Sequence, residues 1–157
     1  MRLRNTSGLP DEVVREVINF VKPSGLSKFD VMVKKSSSSF AGMAYYKGSG
    51  FHMSADPFIT LRIGPDAKFP MKATPHKKGR GYLGAGWICN RLEALVFVAA
   101  HEMRHLWQSK VKKGYRVWGA RGQFSERDAD AYGIRMLRAW RREHGIRRVA
   151  KATGEGR

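Results

Sequence analysis

The nine residues Leu92 to Ala100, LEALVFVAA, carry a single charge. A run that apolar belongs in the interior of a domain, and it is too long for an ordinary strand. Asn90 followed by Glu93 is a capping-box pattern, which starts a helix at about Arg91. The run therefore predicts a helix driven through the middle of the fold, around which the other elements must assemble. Its continuation, His101-Glu102-Met103-Arg104-His105-Leu106-Trp107-Gln108, carries polar groups into or beside that interior. Histidines that follow such a run are not the surface residues of an amphipathic helix.

Residues four apart lie on one helix face, about a turn from each other. His101 and His105 can thus hold one zinc ion, with Glu102 beside the open position of the metal as general base towards an activated water. Such a site needs a third protein ligand. The best place for it is SERDADAYGIRMLRAWRR, where Ser125 can cap a second helix and apolar residues recur at Ala129, Tyr132, Met136, Leu137 and Trp140. Glu126, Asp130, Gly133 and Leu137 share one face of that helix. Gly133 suits a close approach of two helices there. Acidic residues in a first turn also complement the helix dipole, which accounts for Glu126 and Asp128 without a metal. It does not account for Asp130, set among Ala129, Ala131 and Gly133, because a carboxylate on so small-sided a surface needs a partner. Asp128 and Asp130 stay open as alternative ligands.

The segment Val98 to Trp107 resembles the metal-binding helix of the zincin metallopeptidases. Arg104 departs from their pattern, being charged where most carry an uncharged residue, so that either the face is wetter or Arg104 has a partner carboxylate or substrate. Glu126 with Asp130 resembles the E-x-x-x-D element of the gluzincins. That resemblance implies Glu126 as third zinc ligand, with Asp130 orienting one of the two histidines through its other ring nitrogen. It implies an α+β, zincin-like single domain over residues 1–145. An N-terminal helix, a small mostly antiparallel sheet, the metal-binding helix and a C-terminal helix with the third ligand make up that domain. The implied activity is zinc-dependent hydrolysis of peptide bonds, with a protein or peptide substrate paired to an edge strand of the sheet.

The rest of the chain fits such a domain. Leu9 to Val21 reads as the first helix, with Pro10 in its first turn. Phe29 to Lys35 and Phe40 to Tyr46 alternate around a run of four serines and predict a hairpin, and Phe58 to Ile63 predicts a third strand. Phe69 to Gly86 is rich in Gly, Pro and Lys and predicts a long irregular loop. His52, His76 and His144 are read as surface residues. Cys89 is read as a small buried hydrophobe rather than a ligand; as the only cysteine it excludes an internal disulfide and suits a cytoplasmic setting. No stretch reads as a membrane span or as an apolar signal segment. Tyr115 and Arg121, in a basic stretch between the two metal segments, are candidates to stabilise an oxyanion or contact substrate.

A net charge of +17 is compatible with salt-sensitive, sequence-independent association with nucleic acid or an acidic protein, and equally with general solvation of the surface; residues 146–157 read as a basic tail. Two alternatives follow. One is a DNA-associated or mobile-element regulatory peptidase, similar to SprT-like proteins or to the repressor-cleaving metallopeptidases of prophages. The SprT-like branch uses a third histidine, and none stands at a suitable place after His105. The other is a non-catalytic basic nucleic-acid-binding protein with structural zinc.

Overall fold

A computed structural model describes residues 1–45, 56–73, 86–111 and 123–145. Among them the chain runs β1 (Leu3–Thr6), α1 (Asp11–Val21), β2 (Asp30–Lys35), β3 (Phe40–Tyr45), β4 (Phe58–Ile63), a short 3-10 turn (Asp66–Lys68), β5 (Met71–Ala73), β6 (Gly86–Ile88), α2 (Arg91–Val111) and α3 (Gln123–Glu143). The class is α+β, with three helices and a small mixed sheet among these residues.

α2 is the central element. It starts where the capping pattern places it, with Asn90 Oδ1 accepting from the Glu93 backbone N–H at 2.9 Å. Glu93 reaches back one residue beyond the cap, its Oε2 accepting from the Cys89 N–H at 2.7 Å. Ala94 to Ala100, Met103 and Leu106 are all buried, and α2 packs against α1, α3, β3 and β4 at once. Arg141, from α3, closes a buried ion pair on Glu93, so the first turn of α2 is tied to the last turn of α3. α1 has Pro10 just outside it and Asp11 and Glu12 in its first turn, where acidic groups favour the dipole. It buries Val14, Val17, Ile18 and Val21. No helix among the described residues is long and apolar enough to cross a membrane.

The main sheet has the order β1-β2-β4-β3, with β1–β2 and β2–β4 parallel and β3–β4 antiparallel. It is mixed rather than mostly antiparallel, and the expected hairpin of β2 with β3 does not form. The reasons are local. β1, α1 and β2 make a βαβ unit, which joins parallel strands. β4 has the most apolar inward face, Ile59, Leu61 and Ile63, and so takes a central position. The serine run then passes over the end of β4: Ser36 N–H donates to Ile63 O at 3.0 Å, and Gly64 N–H donates to Ser39 O at 2.7 Å. A Cβ on Gly64 would lie 1.9 Å from Ser38 O, so only glycine allows that crossing. Val31, Val33, Ile59 and Leu61 face the helices, while the opposite sheet face carries Arg4, Lys34, Arg62 and Met43.

Two further departures concern short strands. β1 is the first element, ahead of the helix expected to lead the fold; with only Leu3 and Asn5 facing inwards it leaves little pattern to detect. The stretch Phe69 to Gly86 was expected to be irregular throughout, yet its ends pair as β5 and β6, Met71 opposite Ile88. Tyr46, His52, His76, Tyr115, Arg121 and residues 146–157 lie outside the described residues.

Candidate metal centre

The site forms where α2 meets α3. Gly133 makes the approach possible, since a Cβ there would lie 2.9 Å from Phe97 Cε2 and 3.2 Å from Phe97 O. α3 begins at Gln123, two residues before the serine expected to cap it, which places Glu126 in its first turn facing the two histidines.

His101, His105 and Glu126 each offer one ligand atom, and these atoms lie within 4.8 Å of one another. His101 Nε2 is 3.1 Å from His105 Nε2 and 3.3 Å from Glu126 Oε2; His105 Nε2 is 3.3 Å from Glu126 Oε1. Donors about 2.0–2.1 Å from a tetrahedral zinc are about 3.3 Å apart, so these separations and this N,N,O donor set fit the ion. Among the described residues three donors converge, one fewer than closes a structural site.

Charge at the site agrees with a bound cation. Two ring nitrogens 3.1 Å apart, both facing the Glu126 carboxylate, share either a proton or a cation between them. Burial works against a protonated His101, but Asp130, Glu126 and Glu102 outweigh it and push the imidazole up to about 10. Glu126 is held well below the usual carboxylate range by His101 and His105, against a smaller contribution from its partial burial.

Each imidazole is held from behind. His101 Nδ1 lies 3.0 Å from Asp130 Oδ1, at ion-pair distance but without the alignment of a full hydrogen bond. Asp130 is 5% exposed, so the carboxylate that the small-residue surface left without a partner lies against an imidazole. His105 Nδ1 lies 3.0 Å from Gln108 Oε1. Gln108 in turn donates to Asp128 Oδ2 at 2.9 Å, and Arg104 closes a fork on Asp128 at 2.6 and 3.1 Å. Arg104 thus has its partner carboxylate, and stacks 3.9 Å over the Trp107 ring.

Glu102 is 7% exposed and stands apart from the three converging donors. Burial raises its carboxyl above the ordinary range, with His101 and His105 partly offsetting this. It lies against β3: a Cβ on Gly42 would sit 2.5 Å from Glu102 Cγ and Oε1. Sequence reasoning gave no role to Gly42 or Gln108. A lone glycine inside an alternating strand was the available sign for Gly42, since it marks close backbone approach. The candidates that fall elsewhere are Cys89, half-buried with Sγ 3.7 Å from Arg141, and His144, at the far end of α3 beside Trp140 and Glu16.

Comparison of the chain with protein-family models, with curated proteins and with solved structures finds no match.

Proposed function

We propose that the chain is a zinc-dependent peptidase with a zincin-like fold, in which His101, His105 and Glu126 hold the metal and Glu102 is the general base. The observation that most supports this is the convergence of three donors at tetrahedral separations beside a buried carboxylate that is not one of them. Zinc held there would polarise a carbonyl and lower the pKa of water towards ~7. Glu102 takes the proton of the attacking water and returns it to the leaving amine. Asp130 keeps the His101 ring turned so that Nε2 faces the other donors.

The substrate is an extended peptide. β3 is an edge of the main sheet, and among the described residues no strand pairs with its outer side. Gly42 brings the β3 backbone against Glu102, so a peptide added as a further strand there would pass the reacting groups. Tyr115 and Arg121 remain candidates for oxyanion contacts from sequence alone.

Elemental analysis tests the metal. One zinc per wild-type chain, lost in His101→Ala and Glu126→Ala, is the expected result. Purified, folded protein without stoichiometric zinc, or with unchanged zinc in both variants, would contradict the reading.

A second reading adds a nucleic-acid partner, favoured by the outer face of the sheet. Lys34 and Arg62 stand side by side in register there, with Arg4 on the next strand, and Asp30 on the same face is engaged by Arg2. Like charges opposite one another disfavour strand pairing, and an anionic polymer would relieve that. Binding of double-stranded DNA that falls steeply with salt, less steeply in Lys34→Glu/Arg62→Glu, is expected. No salt-dependent binding at low ionic strength would dismiss it.

A further inference from the structure

The groups behind His105 can be assigned one by one from what each is able to donate or accept. Arg104 closes its fork on both oxygens of Asp128, Nε donating to Oδ2 at 2.6 Å and an η nitrogen to Oδ1 at 3.1 Å, which is the pairing of a guanidinium with an ionised carboxylate. An ionised carboxylate only accepts. The end of the Gln108 carboxamide 2.9 Å from Asp128 Oδ2 is therefore its NH2, since a carbonyl oxygen there would face an anion. Its oxygen is left 3.0 Å from His105 Nδ1. A carbonyl oxygen also only accepts, so Nδ1 must carry the hydrogen. The lone pair of His105 Nε2 then points towards Glu126 and His101.

We propose that Arg104, Asp128 and Gln108 form a positioning relay that fixes His105 in the Nδ1–H tautomer and so presents Nε2 to the metal. The relay rests on the reading of this site as a metal centre. It also accounts for the departure of Arg104 from the pattern of the helix. Its direction is set by the buried Gln108, 6% exposed, and the half-buried Asp128, whose side chain is 18% exposed like that of Arg104. The two imidazoles are consequently oriented by unlike groups. Behind His101 stands an anion, Asp130, whereas behind His105 stands a neutral amide whose own anchor is neutralised by Arg104. A second bare carboxylate at His105 would crowd a centre that already has Glu102, Glu126 and Asp130. The amide carries the orientation without the charge. The relay also ties α2 to α3 at a second point besides the His101–Asp130 contact, so that Glu126 is braced relative to both histidines.

Asp128→Asn removes the direction of the relay. Its own amide can face Gln108, letting the Gln108 carboxamide turn and offer NH2 to His105 Nδ1. Gln108→Met keeps the bulk and removes the hydrogen bond. The test is a competition titration of zinc against a chromophoric chelator for wild type, Gln108→Met and Asp128→Asn, with circular dichroism as a check of fold. Nitrogen–proton NMR of the histidines in the zinc-loaded wild type accompanies it. Expected are a protonated Nδ1 on His105 in the wild type and zinc affinity about 10–100-fold lower in Gln108→Met. A wild type that binds no zinc overturns the metal reading and the relay with it. A wild type that binds zinc while folded Gln108→Met binds it equally well, or in which His105 carries its proton on Nε2, overturns the relay alone. The NMR result stands even if a variant does not fold.

Discussion

Replacing Gly133 with alanine sets two effects of opposite sign against each other. Alanine is favoured over glycine inside a helix by up to about 1 kcal/mol. The new Cβ, however, would lie 2.9 Å from the Phe97 ring and 3.2 Å from the Phe97 carbonyl oxygen. The ring belongs to the buried cluster and the carbonyl to the backbone of α2, so neither is a flexible end that swings aside cheaply. Overpacking of that kind costs about 1–3 kcal/mol. The contact cost exceeds the propensity gain, leaving a net loss of about 1 kcal/mol, or about 2–4 °C in Tm for a domain of this size. Thermal unfolding of the chelated protein followed by far-ultraviolet circular dichroism reads this directly. Because Gly133 is two turns along α3 from Glu126, relieving the clash moves the third donor away from α2, and zinc affinity falls in the same variant. A higher Tm with unchanged zinc affinity would refute the claim that glycine sets the helix separation.

Two further outcomes follow from the site and the core. Chelation should lower Tm, since the three donors join separate helices; at zinc one hundred times its Kd the ion contributes about 2.7 kcal/mol, or about 5–10 °C, and an unchanged Tm would show that the donors do not share it. In chelated protein, Glu93 and Asp128 both have carboxyls lowered in the fold, so their contribution is complete above the unfolded values of 4.5 and 3.8 and is lost as pH falls through the lower folded values. His101, raised from 6.5 to about 10, gives the opposite limb: its contribution is complete below 6.5 and is lost as pH rises through about 10. A pH series of unfolding midpoints should fall at both ends, and Glu93→Gln should flatten the acid end; a flat profile in the wild type would contradict the pairing.

The parts of this protein legible in its sequence are those in which one short stretch carries its own physics. Asn90 and Glu93 fix the start of α2, and an apolar run with His101 and His105 at helical spacing brings both imidazoles to one side of it. Asp130 was visible as a carboxylate in small-residue surroundings, and Gly133 as a point of close approach. Strand order was not legible, because β2, β3 and β4 alternate alike and their neighbours depend on the chain passing over the end of β4 at Gly64. Gln108 was not legible either. A glutamine at the end of an apolar run could face solvent, and only Asp128, 20 residues further on, gives it a direction.

The central claim is that Glu102 acts as a base beside a metal held by other residues. The most direct test compares wild type, Glu102→Gln and chelated protein for cleavage of unstructured protein substrates and of the chain itself, with zinc measured in every sample. Glutamine keeps the shape and hydrogen bonding of Glu102 but cannot take a proton. The account predicts full zinc and a normal fold in Glu102→Gln with peptide hydrolysis lowered at least ~100-fold, and no hydrolysis after chelation. Cleavage by the zinc-loaded wild type that persists undiminished in Glu102→Gln would contradict it.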